Sequence, residues 1–161
     1  MRKILFRGRD HAGKWHKGSL ITRIEESPVP ETAAPYEVYY IKGQDFEGEE
    51  HEVDPKTIGQ IVCEATEEPP EIWEGDIIEI CGNDPTLAQR TVVEWYKPHA
   101  GFVVLLTNPS NRDTEYYPLS LVLLGLQGDD ALAMKVIGNI HDNPELITKP
   151  FAQPHEKAQT I

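Results

Sequence analysis

Asp76-Ile77-Ile78-Glu79-Ile80-Cys81, closed by Gly82-Asn83-Asp84-Pro85, is the run on which the fold class turns. A short segment rich in β-branched side chains, with carboxylates set among the isoleucines, reads as a strand with one buried and one wetter face. The turn formers that follow stop it. The same alternation repeats downstream. Thr91 to Tyr96 is extended, Pro98 to Gly101 turns, Phe102 to Thr107 is extended, and Asn108-Pro109-Ser110-Asn111 turns before Glu115-Tyr116-Tyr117. Short strands punctuated this often predict a mainly β fold, with a small antiparallel barrel or rolled sheet in the C-terminal half. Leu119 to Leu126 is apolar nearly throughout, so buried strand and short helix both fit it. Met134 to Ile140 reads as a closing strand interrupted by Gly138. Asn143-Pro144-Glu145-Leu146 is a helix start, with Asn as cap and Pro in the first turn, and the stop follows closely enough to leave one turn.

Working upstream, the prolines at Pro69-Pro70 exclude a helix interior and mark an internal boundary. Before it, Ile4 to Arg7, Trp15 to Ile24, Tyr36 to Ile41 and Ile61 to Cys63 read as strands. His51 to Val53 returns as the partner of Tyr36 to Ile41, and Pro55 to Gly59 reads as a helical turn or bend. The chain divides accordingly into an N-terminal β-rich subdomain over 1–68, the barrel-like unit over 69–148, and a flexible tail over 149–161.

Charge narrows the function classes. The 27 Asp and Glu against 15 Lys and Arg give a formal charge of −12. Such a surface repels phosphate backbones and anionic lipid, and attracts basic partners. The cations that concentrate anywhere are Arg2, Lys3, Arg7, Arg9, Lys14 and Lys17, best read as a solvated hairpin face. The 2 cysteines, Cys63 and Cys81, lie in apolar strand-like runs and suit neither a secreted disulfide framework nor a zinc site. No apolar run approaches the roughly eighteen residues of a membrane span, and no signal peptide opens the chain. The expectation is a cytosolic protein.

Several motifs invite chemistry and decline it. Glu74-Gly75-Asp76 offers paired carboxylates, yet nothing supplies the apolar pocket that would separate their proton affinities. Gly75 permitting a turn, with Asp76 bonding backbone amides as the strand begins, accounts for them better. Asp45, Glu47, Glu49, Glu50, Glu52 and Asp54 have the rhythm of a calcium loop without its central glycine and distant bidentate Glu. The 6 histidines form neither a helical i, i+4 pair nor a Cys/His cluster. No catalytic, cofactor or metal residue is assigned. The aromatics are more informative: Trp15, Tyr39, Tyr40, Trp95, Tyr96, Tyr116 and Tyr117 lie in or beside strands, and adjacent pairs must put one ring on each face. The outward rings are the candidate interaction surface.

Four segments, in order, resemble the YopX family of phage and prophage proteins. They are Ile4-Leu5-Phe6-Arg7-Gly8-Arg9-Asp10, Ile72-Trp73-Glu74-Gly75-Asp76-Ile77-Ile78, Val92-Val93-Glu94-Trp95 leading to Gly101-Phe102, and Val136 to Leu146 with its Gly138-Asn139-Ile140-His141-Asp142-Asn143-Pro144 centre. The resemblance implies an SH3-like barrel opening near Glu74-Gly75-Asp76, an N-terminal β-rich subdomain and a tendency to form homo-oligomers. It brings no catalytic residues. The chain departs from the family pattern at Cys63 to Pro70, where a Gly- and Lys-rich turn is usual, and at Leu119 to Leu126. The expectation is a non-enzymatic accessory protein of the bacterial cytosol that contacts another protein or itself. The alternative is a nucleic-acid-associated or DNA-mimic protein. A third reading, an enzyme using a divalent ion in the acidic loops, has no residue constellation behind it.

Overall fold

A computed structural model describes residues 4–26, 34–43, 48–64, 71–82, 88–107, 113–125 and 133–147. The expected connector at 66–70 and the expected tail at 149–161 lie outside them. The first sheet is built from β1 (Phe6–Arg9), β2 (Trp15–Glu25), β3 (Tyr36–Lys42), β4 (Glu50–Glu52), β5 (Gly59–Cys63) and β6 (Ile72–Trp73), in the order β4-β3-β2-β1-β5-β6. All its pairings are antiparallel.

This sheet curls. The Val53 amide donates to the Tyr39 carbonyl and the Asp54 amide to the Arg9 carbonyl, both at 2.9 Å, so residues 53 and 54 bridge β3 to β1 over one face. Inside the curl lie Ile41, Val53 and His16. Gly18 makes the curvature possible: a Cβ there would stand 1.8 Å from the Lys42 carbonyl oxygen. The helical turn expected near Pro55 is a 3-10 turn, Pro55–Thr57, whose Asp54 side chain accepts from the Lys56 amide.

Two three-stranded antiparallel sheets follow. One runs β12-β7-β8, from β7 (Asp76–Cys81), β8 (Gln89–Val92) and β12 (Ala133–Asn139). The other runs β11-β10-β9, from β9 (Glu94–Tyr96), β10 (Gly101–Thr107) and β11 (Thr114–Pro118). The extended run expected from Thr91 to Tyr96 is therefore two strands parted at Val93, each serving a different sheet. Val93 itself holds the start of β7: its amide donates to Asp76 O at 2.9 Å, and the Gly75 amide donates to Val93 O at 2.8 Å.

Among the described residues no sheet closes into a barrel. Where β8 passes β10, side chains stand in for backbone. The Thr107 amide donates to Gln89 Oε1 at 2.7 Å, Gln89 Nε2 donates to the Thr107 carbonyl at 2.8 Å, and the Leu105 amide donates to Thr91 Oγ1 at 3.0 Å. The ambiguous apolar run is a helix, α1 (Leu119–Gly125), with Leu119 and Val122 inward and Leu121 and Leu124 exposed. Its i, i+3 inward pair is the helical spacing that an unbroken apolar run conceals.

The core gathers Ile72, Ile78, Ile80, Val93, Val104, Leu119 and Val122, with Val62 and Cys63 of β5 packed against it. Burying each such aliphatic side chain contributes roughly 1.5–3 kcal/mol relative to exposure. β12 carries the irregularity expected at Gly138, a register shift between Val136 and Gly138. The one helical turn expected after Asn143 is a 3-10 turn, Pro144–Leu146, but Asn143 does not cap it. Its Oδ1 instead accepts from the Asn139 amide, tying the turn back to the end of β12.

Candidate interaction surface

The segments singled out in the sequence converge on one joint between the halves. From β1, Arg7 reaches Asp76 at the start of β7, with Nη2 to Oδ1 at 2.6 Å, and also donates to Glu74 O at 3.1 Å. Asp76 Oδ2 accepts from the Trp73 amide at 2.8 Å, and Gly75 takes φ +84°, where a side chain would be strained. The turn and amide-bonding roles expected of Gly75 and Asp76 are what the geometry provides; the Arg7 partner was not foreseen. Burial raises the Asp76 carboxyl's proton affinity, and Arg7 opposes that. Glu74 points elsewhere, its Oε2 accepting from the Gln60 amide at 3.4 Å, so these acids do not face a common substrate position.

The other segment, Asn139 to Asp142, completes the joint. Asp142 accepts from Arg9 at 2.9 Å, from Trp15 Nε1 at 2.7 Å and from Asn139 Nδ2 at 2.8 Å. These bonds, the one from Asn139 foremost, lower its carboxyl's proton affinity. Trp15 is thus fixed in the joint, half-buried, with the Arg7 guanidinium 5.0 Å from its ring centre.

Three of the N-terminal cations are held in ion pairs, and Lys14 is in none of them. Arg7 pairs with Asp76, Arg9 with Asp142 and Lys17 with Glu71; Arg2 and Lys3 lie outside the described residues. In the acidic stretch, Glu50 pairs with Arg23 and Lys42, and Glu52 approaches His11 at 3.3 Å. Asp45 and Glu47 lie outside the described residues, among which no group of His, Cys, Asp or Glu is arranged to hold a metal. Sequence reasoning missed the role of His16, which is 8% exposed, bonds Asp10 at 2.7 Å and stacks on His51 with ring centres 3.7 Å apart.

The remaining aromatics divide between two places. Tyr39 and Tyr40 leave opposite faces of β3, their hydroxyls donating to Glu37 and Glu25. Beyond them, the far end of the β2–β3 hairpin exposes Ile24 and Tyr36. The third sheet carries the other four. Tyr117 packs against the core, while Trp95 sits edge-on to Phe102 at 5.2 Å and stays 50% exposed. Tyr96 and Tyr116 emerge on the other face and stack at 4.1 Å. Alternation and pairing register place Glu94, Tyr96, Val103 and Tyr116 on that same outer face. Val103 beneath is fully buried. Partial desolvation raises the proton affinity of the Glu94 carboxyl, and the nearby Tyr116 hydroxyl opposes it. Burial, then Glu94, raises that of the Tyr116 hydroxyl. The structure therefore brings together Tyr96 and Tyr116, sets Trp95 on the opposite face of the same sheet, leaves Trp15, Tyr39 and Tyr40 elsewhere, and adds Glu94. The i, i+2 spacing of Glu94 and Tyr96 was the available signal.

Among the described residues no helix is long and apolar enough to cross a membrane. No curated protein and no solved structure matches the chain. The family model described as YopX protein matches residues 14–148, a span that takes in the Trp15–Asp142 bond, the Glu-Gly-Asp turn and the whole third sheet. With the joint built from the segments that carried the resemblance and the match running through nearly all the described strands, the chain belongs to the YopX family.

Proposed function

We propose that this is a non-enzymatic accessory protein of phages or prophages, acting in the bacterial cytosol by binding another protein or itself. The observation that carries the reading is the third sheet, which bears half-exposed Trp95 on one face and the stacked Tyr96 and Tyr116 with a carboxylate on the other. Exposed aromatic side chains on a rigid sheet are the usual anchors of protein contacts. The Arg7–Asp76 and Arg9–Asp142 pairs tie β1 to the start of β7 and to the segment after β12, which supports reading them as architectural. The bent run from Gln89 to Tyr96, with the side-chain seam at Gln89 and Thr91, supports regarding the C-terminal half as an open variant of an SH3-like barrel.

The test is capture from host lysate by the wild-type chain and by a Trp95→Ala, Tyr116→Ala double variant, with light scattering on both. The expected result is a partner or an oligomer that the double variant loses while keeping its thermal transition. A strictly monomeric wild type that recovers nothing would sink the reading.

A further inference from the structure

The fold repeats one arrangement: an aromatic ring, a cation over it, and a carboxylate holding the cation. Arg7 lies 5.7 Å from the centre of the Trp73 ring and pairs with Asp76. Lys17 lies 5.2 Å from the same ring and pairs with Glu71. Arg23 lies 4.8 Å from the centre of the Tyr40 ring and pairs with Glu50. In each, ring quadrupole and carboxylate attract the same charge, and the apolar ring lowers its cost of leaving water.

The outer face of the third sheet has the ring and the acid without the cation. Tyr96 and Tyr116 stack within 19° of parallel, His99 closes one side with its ring 5.1 Å from that of Tyr96, and Glu94 shares the face. Glu94 takes part in none of the ion pairs among the described residues, whose acids are Asp10, Glu49, Glu50, Glu52, Glu71, Asp76, Glu79 and Asp142. We infer that the Glu94–Tyr96–Tyr116 face takes an arginine side chain from a partner protein, the guanidinium lying along the stacked rings and pairing with the Glu94 carboxylate. Arginine fits better than lysine because a planar guanidinium can stack and bond a carboxylate at once. A different protein is the occupant, not a second copy: this chain carries a charge of −12, and its described arginines, Arg7, Arg9, Arg23 and Arg90, are already paired with its own acids. The inference rests on the interaction reading and specifies the chemistry of its partner.

The test uses the full chain, labelled for amide NMR and titrated with a blocked Gly-Gly-Arg-Gly-Gly peptide and its lysine and citrulline counterparts. The arginine peptide should shift amides at 94–96, 101–103 and 114–117. Citrulline, which keeps the shape and loses the charge, should bind at least ~10-fold more weakly. Glu94→Gln should weaken the arginine peptide by a similar factor, and Tyr116→Leu should abolish the shifts. Unmoved amides, an equally good citrulline peptide, or undiminished binding by Glu94→Gln each overturn the inference; should Glu94→Gln fail to fold, the citrulline comparison on the wild-type chain decides. If the same amides shift on concentrating the chain alone, with a matching rise in mass, the face joins copies of itself and the arginine assignment is wrong. Capture that depends on Trp95 without any arginine response would leave the interaction reading standing and this inference refuted.

Discussion

Arg7 Nη2 lies 2.6 Å from Asp76 Oδ1, the two side chains 11% and 4% exposed, and this pair fastens β1 of the first sheet to β7 of the second. Removing one member strands a buried charge. Arg7→Met is expected to destabilise the chain by about 3–5 kcal/mol, and Asp76→Asn by a smaller amount because the amide still accepts from the Trp73 amide. The double variant should recover part of the Arg7→Met loss. Urea denaturation of the three variants checks this, and strictly additive losses would contradict the pairing.

The Asp10 carboxyl is lowered from 3.8 to about 2, first by its hydrogen bond with His16 and then by the Lys14 amide. A carboxyl depressed on folding contributes stability that is present above its unfolded value and is lost as pH falls through the folded one. Its share therefore disappears between about pH 4 and pH 2. Asp10→Asn should flatten the stability profile in that window, as read from denaturant midpoints at successive pH values. A variant with an unaltered acid limb would show that the contact does not persist in solution.

Gly18→Ala places a methyl group where the Lys42 carbonyl oxygen already lies, and that obstacle is backbone. The curl of the first sheet must open to admit it. A loss of about 1–3 kcal/mol or more is expected, visible as a lower thermal midpoint. Tolerance of alanine here would mean that the curl is looser than described.

Gln89 replaces a peptide group at the seam between β8 and β10, donating to and accepting from Thr107. Gln89→Ala leaves that amide and carbonyl without their partners, at a cost of about 1–3 kcal/mol. Hydrogen exchange at the Thr107 amide should quicken in the variant more than exchange at the centre of β7. Equal change at both positions would indicate global loosening and no special role for the seam.

The strands, the Gly75 turn, the Gly138 irregularity and the single turn after Asn143 were legible because each depends on a local rule. Periodicity, turn chemistry and backbone conformation act over a few residues. The break at Val93 was not legible, since nothing in Thr91 to Tyr96 marks where one sheet hands over to another. Arg7 finding Asp76, and Gln89 imitating a peptide, depend on which segments the topology brings together. For the same reason the aromatic list included Trp15, whose indole is committed to Asp142, and overlooked Glu94, whose value comes from lying across from Val103 and beside Tyr116. Leu119 to Leu126 stayed open because an unbroken apolar run carries no period.

The run from Gln89 to Tyr96 belongs to two ladders at once, with Val93 as the pivot between them. A residue gained or lost there would throw both sheets out of step together, since every partner on either side would face its wrong neighbour. Tension applied at the tyrosine end reaches β8 along an unbroken length of main chain, and passes from there to the isoleucines of β7 across the pairing of the two strands. The two sheets are, in that sense, a single piece of cloth folded over one thread.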